Sequence, residues 1–196
     1  MTHFLRRVAF LILISISQLD CKKPSLVSFE ENGFYGFKDT KGKIIITPQY
    51  EVVNDFNEKG VAFAFGKEGW ICIDSDNKNL LNSFAFDNGP DIPSDGMSRY
   101  AENGKIGFHD SACKKIIEAK YDFAYPFENG FSIVCNGCTS IKTGEHSEIQ
   151  GGNYGVIDQK GKTIVEIEYD SILSIDPGEK IIEVIKAGIK KQINIP

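Results

Sequence analysis

Four similar segments recur along the chain, and this internal repetition constrains the fold more than any other feature of the sequence. Each segment carries an aspartate at the same place, and successive aspartates lie 35, 36 and 48 residues apart. These aspartates are Asp39, Asp74, Asp110 and Asp158. A repeat of this length cannot bury its apolar face alone, so neighbouring copies must stack on one another. The chain is therefore expected to form a repeat array.

The similarity continues downstream of each aspartate. An aromatic residue followed by an acid comes next, then a glycine, and then a segment in which apolar residues alternate. The third copy is longer because it contains an insertion. We assign the four repeats, the insertion and a closing strand to residues 31–66, 67–102, 103–150 with the insertion at 135–152, 151–188, and 189–196.

The recurring aspartate is expected to open a tight turn between two strands. Its carboxylate can accept hydrogen bonds from the backbone, and Gly42 and Gly161 can adopt the positive φ of a type I turn with a G1 bulge. Asn77 holds that place in the second repeat, and asparagine is the next best tolerated residue there. Cys113 holds it in the third repeat, so that turn is expected to be altered. Because the aspartate recurs in every copy, we interpret it as a turn device and not as a catalytic carboxylate.

Composition favours strands over helices. From residue 21 onward the chain has 23 isoleucines and only 4 leucines, and β-branched side chains pack well on a pleated sheet. Each repeat is therefore predicted to be a three-stranded β-meander. The protein as a whole is predicted to be all-β, with four meanders stacked into one curved array. A closed, propeller-like ring is the alternative.

Period-two alternation predicts which side chains of the first strand are core. One face carries eight positions that we expect to be buried: Tyr35, Phe37, Trp70, Cys72, Ile106, Phe108, Tyr154 and Val156. The opposite face carries Lys38, Ile73, His109 and Ile157, and we expect this mixed set to be only partly covered.

The shared pattern resembles the WG repeat, also called the KWG repeat. It has an aromatic residue before Gly-Phe, an Asp-x-x-Gly-Lys turn and an isoleucine-rich segment ending in x-Pro-x-Tyr. The resemblance covers nearly all of residues 31–188 and is clearest in the first and fourth copies. Ile71 replaces the glycine in the second copy, and Ile106 replaces the aromatic residue in the third. The resemblance implies a β-repeat fold but no particular chemistry.

The N-terminus is typical of an exported protein, with residues 1–20 expected to be a signal peptide. Arg6 and Arg7 precede a mostly apolar run over residues 8–16 that is too short to span a bilayer. Cys21 follows and resembles the lipidated cysteine of bacterial lipoproteins, which implies a lipid anchor at the cell envelope. Residues 21–30 are interpreted as a tether. Cleavage after Ser17, giving a periplasmic or secreted protein, is the alternative.

The insertion contains the residues that could bind a metal or act in redox chemistry. Cys135, Cys138 and His146 form a C-x₂-C pair with a nearby histidine, which could supply three zinc ligands. A disulfide is favoured in an exported protein. The chain has two further cysteines beyond the N-terminal segment, so three full pairings remain open.

Three other side chains have a functional and a structural interpretation. Trp70 is the only tryptophan; exposed, it could anchor a ligand, but its repeat position predicts core. His109 could act as a base, but no nucleophile motif accompanies it, so a surface histidine is expected. Cys72 lies on the core face and is expected to be a small hydrophobic residue.

These observations together predict a non-enzymatic binding or scaffolding module displayed at the cell envelope. Its partners are expected to be proteins or other envelope components, without a cofactor. The net charge of −5 argues against a nucleic-acid partner. The alternative function is a metal or redox role of Cys135, Cys138 and His146.

Overall fold

The computed structural model describes residues 25–143 and 146–195, with the backbone alone for Thr143 and His146. In these residues the chain forms 19 β-strands and no helix. The prediction of an all-β protein is therefore confirmed.

The strands form five consecutive three- or four-stranded units, each with antiparallel neighbours. Unit 1 contains β1 (Leu26–Glu31), β2 (Phe34–Asp39) and β3 (Ile44–Tyr50). Unit 2 contains β4 (Val52–Val53), β5 (Val61–Gly66), β6 (Gly69–Asp74) and β7 (Asn79–Ser83). A small excursion follows with β8 (Ala85–Phe86) and β9 (Gly89–Pro90). Unit 3 contains β10 (Ser98–Glu102), β11 (Lys105–His109) and β12 (Lys115–Tyr121). Unit 4 contains β13 (Phe123–Ala124), β14 (Phe131–Thr143), β15 (His146–Asp158) and β16 (Thr163–Tyr169). Unit 5 contains β17 (Ser171–Asp176), β18 (Ile181–Lys186) and β19 (Ile189–Asn194).

Apolar clusters lie between consecutive units. Phe37 of unit 1 packs with Ile73 of unit 2, and Phe108 of unit 3 packs with Ile157 of unit 4. Two further clusters join unit 2 to unit 3 and unit 4 to unit 5. Each unit is thus stabilised by its chain neighbours, as in other stacked repeat proteins.

This stacking explains the burial of both faces of the middle units. Six of the eight predicted core positions are buried, while Tyr35 and Tyr154 are half-buried. The opposite face was expected to be only partly covered, and that expectation is wrong for Ile73, His109 and Ile157, which are almost fully buried. These three side chains face the preceding unit. Lys38 belongs to unit 1, which has no preceding unit in the described chain, and it stays half-exposed.

The units are shifted along the chain relative to the sequence repeats. The alternating segment at the end of each repeat pairs with the first strand of the next repeat, as β5 does with β6. The prediction that residues 21–30 are a tether is wrong for the segment that begins at Leu26. Leu26–Glu31 forms β1 and pairs with β2 along its whole length. The predicted closing strand is present as β19, but it pairs with β18 and helps to form unit 5.

The array is open in the described part of the chain, where no strand of unit 1 pairs with unit 5. The hairpins β5–β6 and β18–β19 can be compared residue by residue through their cross-strand partners. In this comparison Lys190 takes the position of Trp70, and Gln192 takes that of Cys72. Both replacements are exposed. Unit 5 therefore has a polar outer face, which is typical of the terminal unit of a repeat array.

A glycine in the middle strand controls the register of three units. Pairing slips by two residues beside Gly36, Gly107 and Gly155, so the third strand bulges toward the glycine. A Cβ at Gly107 would lie 2.5 Å from the carbonyl oxygen of Ile117. Unit 2 has Ile71 at this place, and its pairing passes Ile71 without the bulge. In that unit β7 pairs onward with β10, which fuses units 2 and 3 into one seven-stranded sheet.

We expect Gly107→Ala to destabilise the protein by about 1–3 kcal/mol, because the added methyl group overpacks against backbone that cannot move away. Gly66→Ala is the matched control, since its Cβ would meet only Tyr50 at 3.5 Å. Urea unfolding of both variants measures the effect. Equal stability of the two variants would contradict the proposed role of the glycine.

Candidate functional site

The carboxylates of the four recurring aspartates accept hydrogen bonds within their own turns. In each, Oδ1 accepts hydrogen bonds of 2.9 Å from the backbone N–H groups two and four residues later. Gly42, Asn77 and Gly161 have φ of 86°, 62° and 76°, as a G1 bulge requires. The side chains are therefore occupied by backbone donors.

The aspartate turns also connect neighbouring units. In the turn of unit 2, Asn77 accepts a hydrogen bond of 2.8 Å from the hydroxyl of Tyr50 in unit 1. In the turn of unit 4, Gly161 lies against Ile117 of unit 3. In the turn of unit 3, Cys113 forms a disulfide with Cys72 of unit 2. Each of these three turns thus contacts the unit before it.

The turn at Cys113 was expected to be altered, and this expectation is wrong. Its backbone hydrogen bonds match those of the other turns, and Cys113 itself adopts a φ of 55°. A side chain in this region costs about 1–2 kcal/mol, and the disulfide to Cys72 holds the residue there. Cys72 is buried as expected, but it is also bonded and is not a free thiol.

Trp70 lies in the core and is not presented to a ligand. Its side chain is buried, its ring packs against Phe65, and its indole Nε1 donates a hydrogen bond of 3.1 Å to the carbonyl of Asn88. This bond ties the excursion after β7 to unit 2.

His109 was expected on the surface, but it is only 2% exposed. Its ring lies between Phe63 of unit 2 and Tyr100 of unit 3. Nδ1 donates to the carbonyl of Asp110 at 2.8 Å, while Nε2 is buried and has no hydrogen-bond partner among the described residues. Burial lowers the pKa of His109, against the opposing effects of the Asp110 carbonyl and the Asp91 and Asp110 carboxylates.

We expect His109 to make stability depend on pH. Because its pKa is lower in the folded state, the unfolded chain binds the proton more readily, and stability should fall as the pH decreases below about 6.5. His109→Ile introduces the residue found at the equivalent positions 73 and 157, and it should remove this fall. Urea unfolding at pH 7.5 and pH 5.5 tests the expectation, which an equal fall in the variant and the wild type would contradict.

Most of the insertion lies in a projecting hairpin, which we call the arm and define as residues 136–143 of β14 and 146–153 of β15. The strands β13 and β16 pair only with the part of the hairpin outside these residues. Cys135 and Cys138 are bonded to each other at the base of the arm, and both are buried. Gly137 lies between them with a φ of 76°, and its N–H donates to Asp122 at 2.7 Å.

The disulfide corrects the zinc hypothesis. Zinc binds cysteine as thiolate, and Cys135 and Cys138 are joined to each other, so neither offers one. The side chain of His146 lies outside the described residues. In the part of the chain that the structure describes, no three His, Cys, Asp or Glu side chains are grouped to hold a metal ion.

Two adjoining hollows share Tyr125 and Ile133. One, of about 670 Å³, lies between the arm base and unit 5, and the other, of about 570 Å³, lies between the β13–β14 loop and unit 5. We call them together the arm groove, and define it by Tyr125, Ile133, Ile149, Tyr154, Ile172 and Leu173. Tyr125 is 39% exposed and Leu173 is 48% exposed, so the groove presents apolar and aromatic surface to solvent. A third hollow, of about 620 Å³, lies between units 1 and 2.

The phenol of Tyr154 stays protonated at neutral pH, because its surroundings raise its pKa. Partial burial raises the pKa of Tyr154, and the neighbouring Tyr125 raises it further. The Tyr154 hydroxyl donates to the carbonyl of Ile149 at 3.5 Å and can accept a hydrogen bond from a ligand. Tyr125 is fixed by its backbone, whose N–H donates to the Ile133 carbonyl at 2.9 Å, and by edge-on contact of its ring with Phe123.

Comparison with known proteins agrees with this repeat geometry. A family model for the WG containing repeat matches residues 35–69, 107–137 and 154–182. The chain is a WG repeat-containing protein. No curated protein sequence matches it significantly.

The matched WG regions correspond to the repeats that keep the register glycine. The second repeat is not matched at its tryptophan strand, where Ile71 replaces the glycine and the bulge is missing. The first matched region begins at Tyr35 and the last at Tyr154, which hold the same repeat position. Of these two tyrosines only Tyr154 borders the arm groove, which gives a natural control.

The expected membrane anchor lies outside the described residues. This applies to the signal peptide of residues 1–20 and to Cys21, the proposed lipid attachment site. Within residues 25–143 and 146–195, there is no helix with the length and apolar character needed to cross a membrane.

Sequence reasoning missed a buried ion pair between Asp91 and Arg99. The guanidinium donates to both carboxylate oxygens, at 2.6 and 3.1 Å, and to the carbonyl of Ala124 at 3.1 Å. It also lies over the ring of Phe84, 4.3 Å from its centroid. The sequence did contain a signal for this pair. Arg99 lies in the alternating segment of the second repeat, at a position that is apolar in the first and third copies.

Proposed function

We propose that this WG repeat protein is a non-enzymatic binding module and that its ligand occupies the arm groove. The observation that supports this most is the coincidence of two irregular features. The insertion interrupts the repeat in one place, and the exposed Tyr125 borders the same hollow as Ile149 of the insertion. The exposed Leu173 borders the adjoining hollow. Concave surface with aromatic walls and a few polar groups is typical of binding sites.

The side chains that could suggest catalysis are engaged elsewhere. The recurring aspartates accept backbone hydrogen bonds in their turns, and His109 is buried between two units. These facts favour binding over hydrolysis as the role of the array.

We further propose that the module is exported and anchored at the cell envelope through Cys21. The basic and apolar N-terminal pattern supports export. Labelling cells with a fatty-acid analogue tests the anchor: the wild type should be labelled and Cys21→Ala should not. Equal labelling of both would contradict it.

Tyr154→Ala and Tyr35→Ala form a matched pair for testing the site. Both change a half-buried tyrosine at the same repeat position, but only Tyr154 borders the groove. The immobilised full chain is exposed to a solubilised envelope fraction, and the captured components are quantified. We expect Tyr154→Ala to reduce capture at least tenfold, in the range of an interface hot spot, and Tyr35→Ala to stay within twofold.

Thermal melting of both variants checks that they remain folded. Capture that is unchanged by Tyr154→Ala, or reduced equally by both changes, would contradict a site in the arm groove.

A further inference from the structure

The edge of β17 faces the arm groove. Six consecutive residues, from Asp170 to Ile175, border the two hollows. Successive side chains of a strand point to opposite faces. If one face of β17 bordered the groove, only every second residue would contact it. Because consecutive residues do so, the backbone edge of the strand borders the groove. In the described chain β17 pairs with β18 alone, which leaves this edge free.

β17 has a bulge at Leu173 but lacks two other features that protect edge strands, short length and lysine side chains. The equivalent strands β4 and β13 are two residues long, whereas β17 has six. β19, the other edge of unit 5, carries Lys190 and Lys191, and lysines discourage edge-to-edge pairing. β17 reads Ser-Ile-Leu-Ser-Ile-Asp and has no charge before its last residue.

The groove has a negative and apolar lining. Among the residues that border the two hollows, the charged ones are Glu128 and Asp170, and both are acidic. Tyr125, Ile172 and Leu173 supply apolar surface. A complementary segment would therefore carry apolar and basic side chains.

We propose that the free edge of β17 binds an extended peptide segment of a partner protein, rich in apolar and basic residues, which adds as a fourth strand to unit 5. This inference rests on the proposed function of the arm groove and names its ligand class. Backbone hydrogen bonds to the edge supply affinity, and alternate side chains entering the groove supply selectivity.

A displayed library of random seven-residue peptides, selected on the full chain, tests the ligand class. We expect enriched peptides to combine apolar with basic residues and to be poor in proline, which cannot donate to the strand ladder. No enrichment, or enrichment of acidic or proline-rich peptides, would overturn the proposal.

Leu173→Lys and Ile189→Lys locate the bound strand. Leu173 lies at a bulge without a cross-strand partner in β18, so the change leaves the β17–β18 pairing in place. Ile189 is 61% exposed on β19 and receives the same charge. With the enriched peptides as probes, we expect at least a tenfold loss of affinity for Leu173→Lys and less than twofold for Ile189→Lys.

The variants also separate the two proposals. If Tyr154→Ala abolishes peptide binding but Leu173→Lys does not, the groove remains the site and the added strand is wrong. If Ile189→Lys alone abolishes binding, the peptide uses β19 and the proposal fails. If neither Tyr154→Ala nor Leu173→Lys has an effect, the arm groove and the added strand are both wrong.

Discussion

Replacing Asp91 with asparagine should destabilise the protein by about 3–5 kcal/mol, the usual cost of leaving one member of a buried ion pair alone. Both side chains of the pair are almost fully buried, with 4% of Arg99 and 2% of Asp91 exposed. The carboxylate also accepts the backbone N–H of Arg99 at 2.7 Å. Asparagine keeps the shape and one acceptor oxygen, so the main loss is the negative charge facing the guanidinium.

Two further variants make this result specific. Asp91→Asn/Arg99→Met removes both charges and should recover part of the loss, because no buried charge is then unpaired. Glu102→Gln breaks the exposed pair with Lys115, at 2.6 Å, and should cost less than about 1 kcal/mol. Urea unfolding measures all three. A cost below about 1 kcal/mol for Asp91→Asn would contradict a structural role for the pair.

Removing the Cys72–Cys113 disulfide should cost about 4 kcal/mol. The bridge closes a loop with a sequence separation of 41, and the chain-entropy model gives about 3 kcal/mol for 15 residues and about 4.7 for 100. Cys72→Ala/Cys113→Ala is the suitable variant, because alanine keeps the Cβ at the positive φ of residue 113. Urea unfolding of the variant and of the oxidised wild type gives the difference.

The second disulfide is the matched control. Cys135 and Cys138 are only three residues apart, so the same model predicts a smaller loss, of about 2 kcal/mol, for Cys135→Ala/Cys138→Ala. A larger loss for this pair than for the Cys72–Cys113 pair would contradict the interpretation that the first bridge joins units 2 and 3.

The local structure of each repeat could be predicted because neighbouring residues determine it. The turn depends on the aspartate and on the residue with positive φ, and the burial of the strands depends on period-two alternation. All of these features involve residues within about a dozen positions of one another. Asn77 in the place of Gly42 was informative, since few other residues tolerate that conformation. These features led to the turns, the strands and the face that carries Phe37 and Phe108.

The contacts between units could not be predicted in the same way. One repeat alone does not reveal that its opposite face meets the preceding unit, and for this reason His109 was expected on the surface. The pairing of Cys72 with Cys113 depends on the same stacking. The structural units differ from the predicted sequence repeats because the alternating segment at the end of each repeat pairs with the first strand of the next repeat.

The arm groove combines residues that are distant in sequence. Tyr125, Tyr154 and Leu173 come from three different segments, and only the hairpin and the stacking of unit 5 bring them together. The insertion was visible in the sequence, but it first suggested cysteine chemistry. In the structure, the surface at the base of the insertion forms part of the arm groove.

Amide hydrogen exchange of the full chain, with and without a component captured from the envelope, tests the arm groove most directly as the binding site. We predict that binding slows exchange in residues 125–133, 149–154 and 171–176. Exchange that is unchanged there, and slowed instead at the aspartate turns or along β19, would contradict the account.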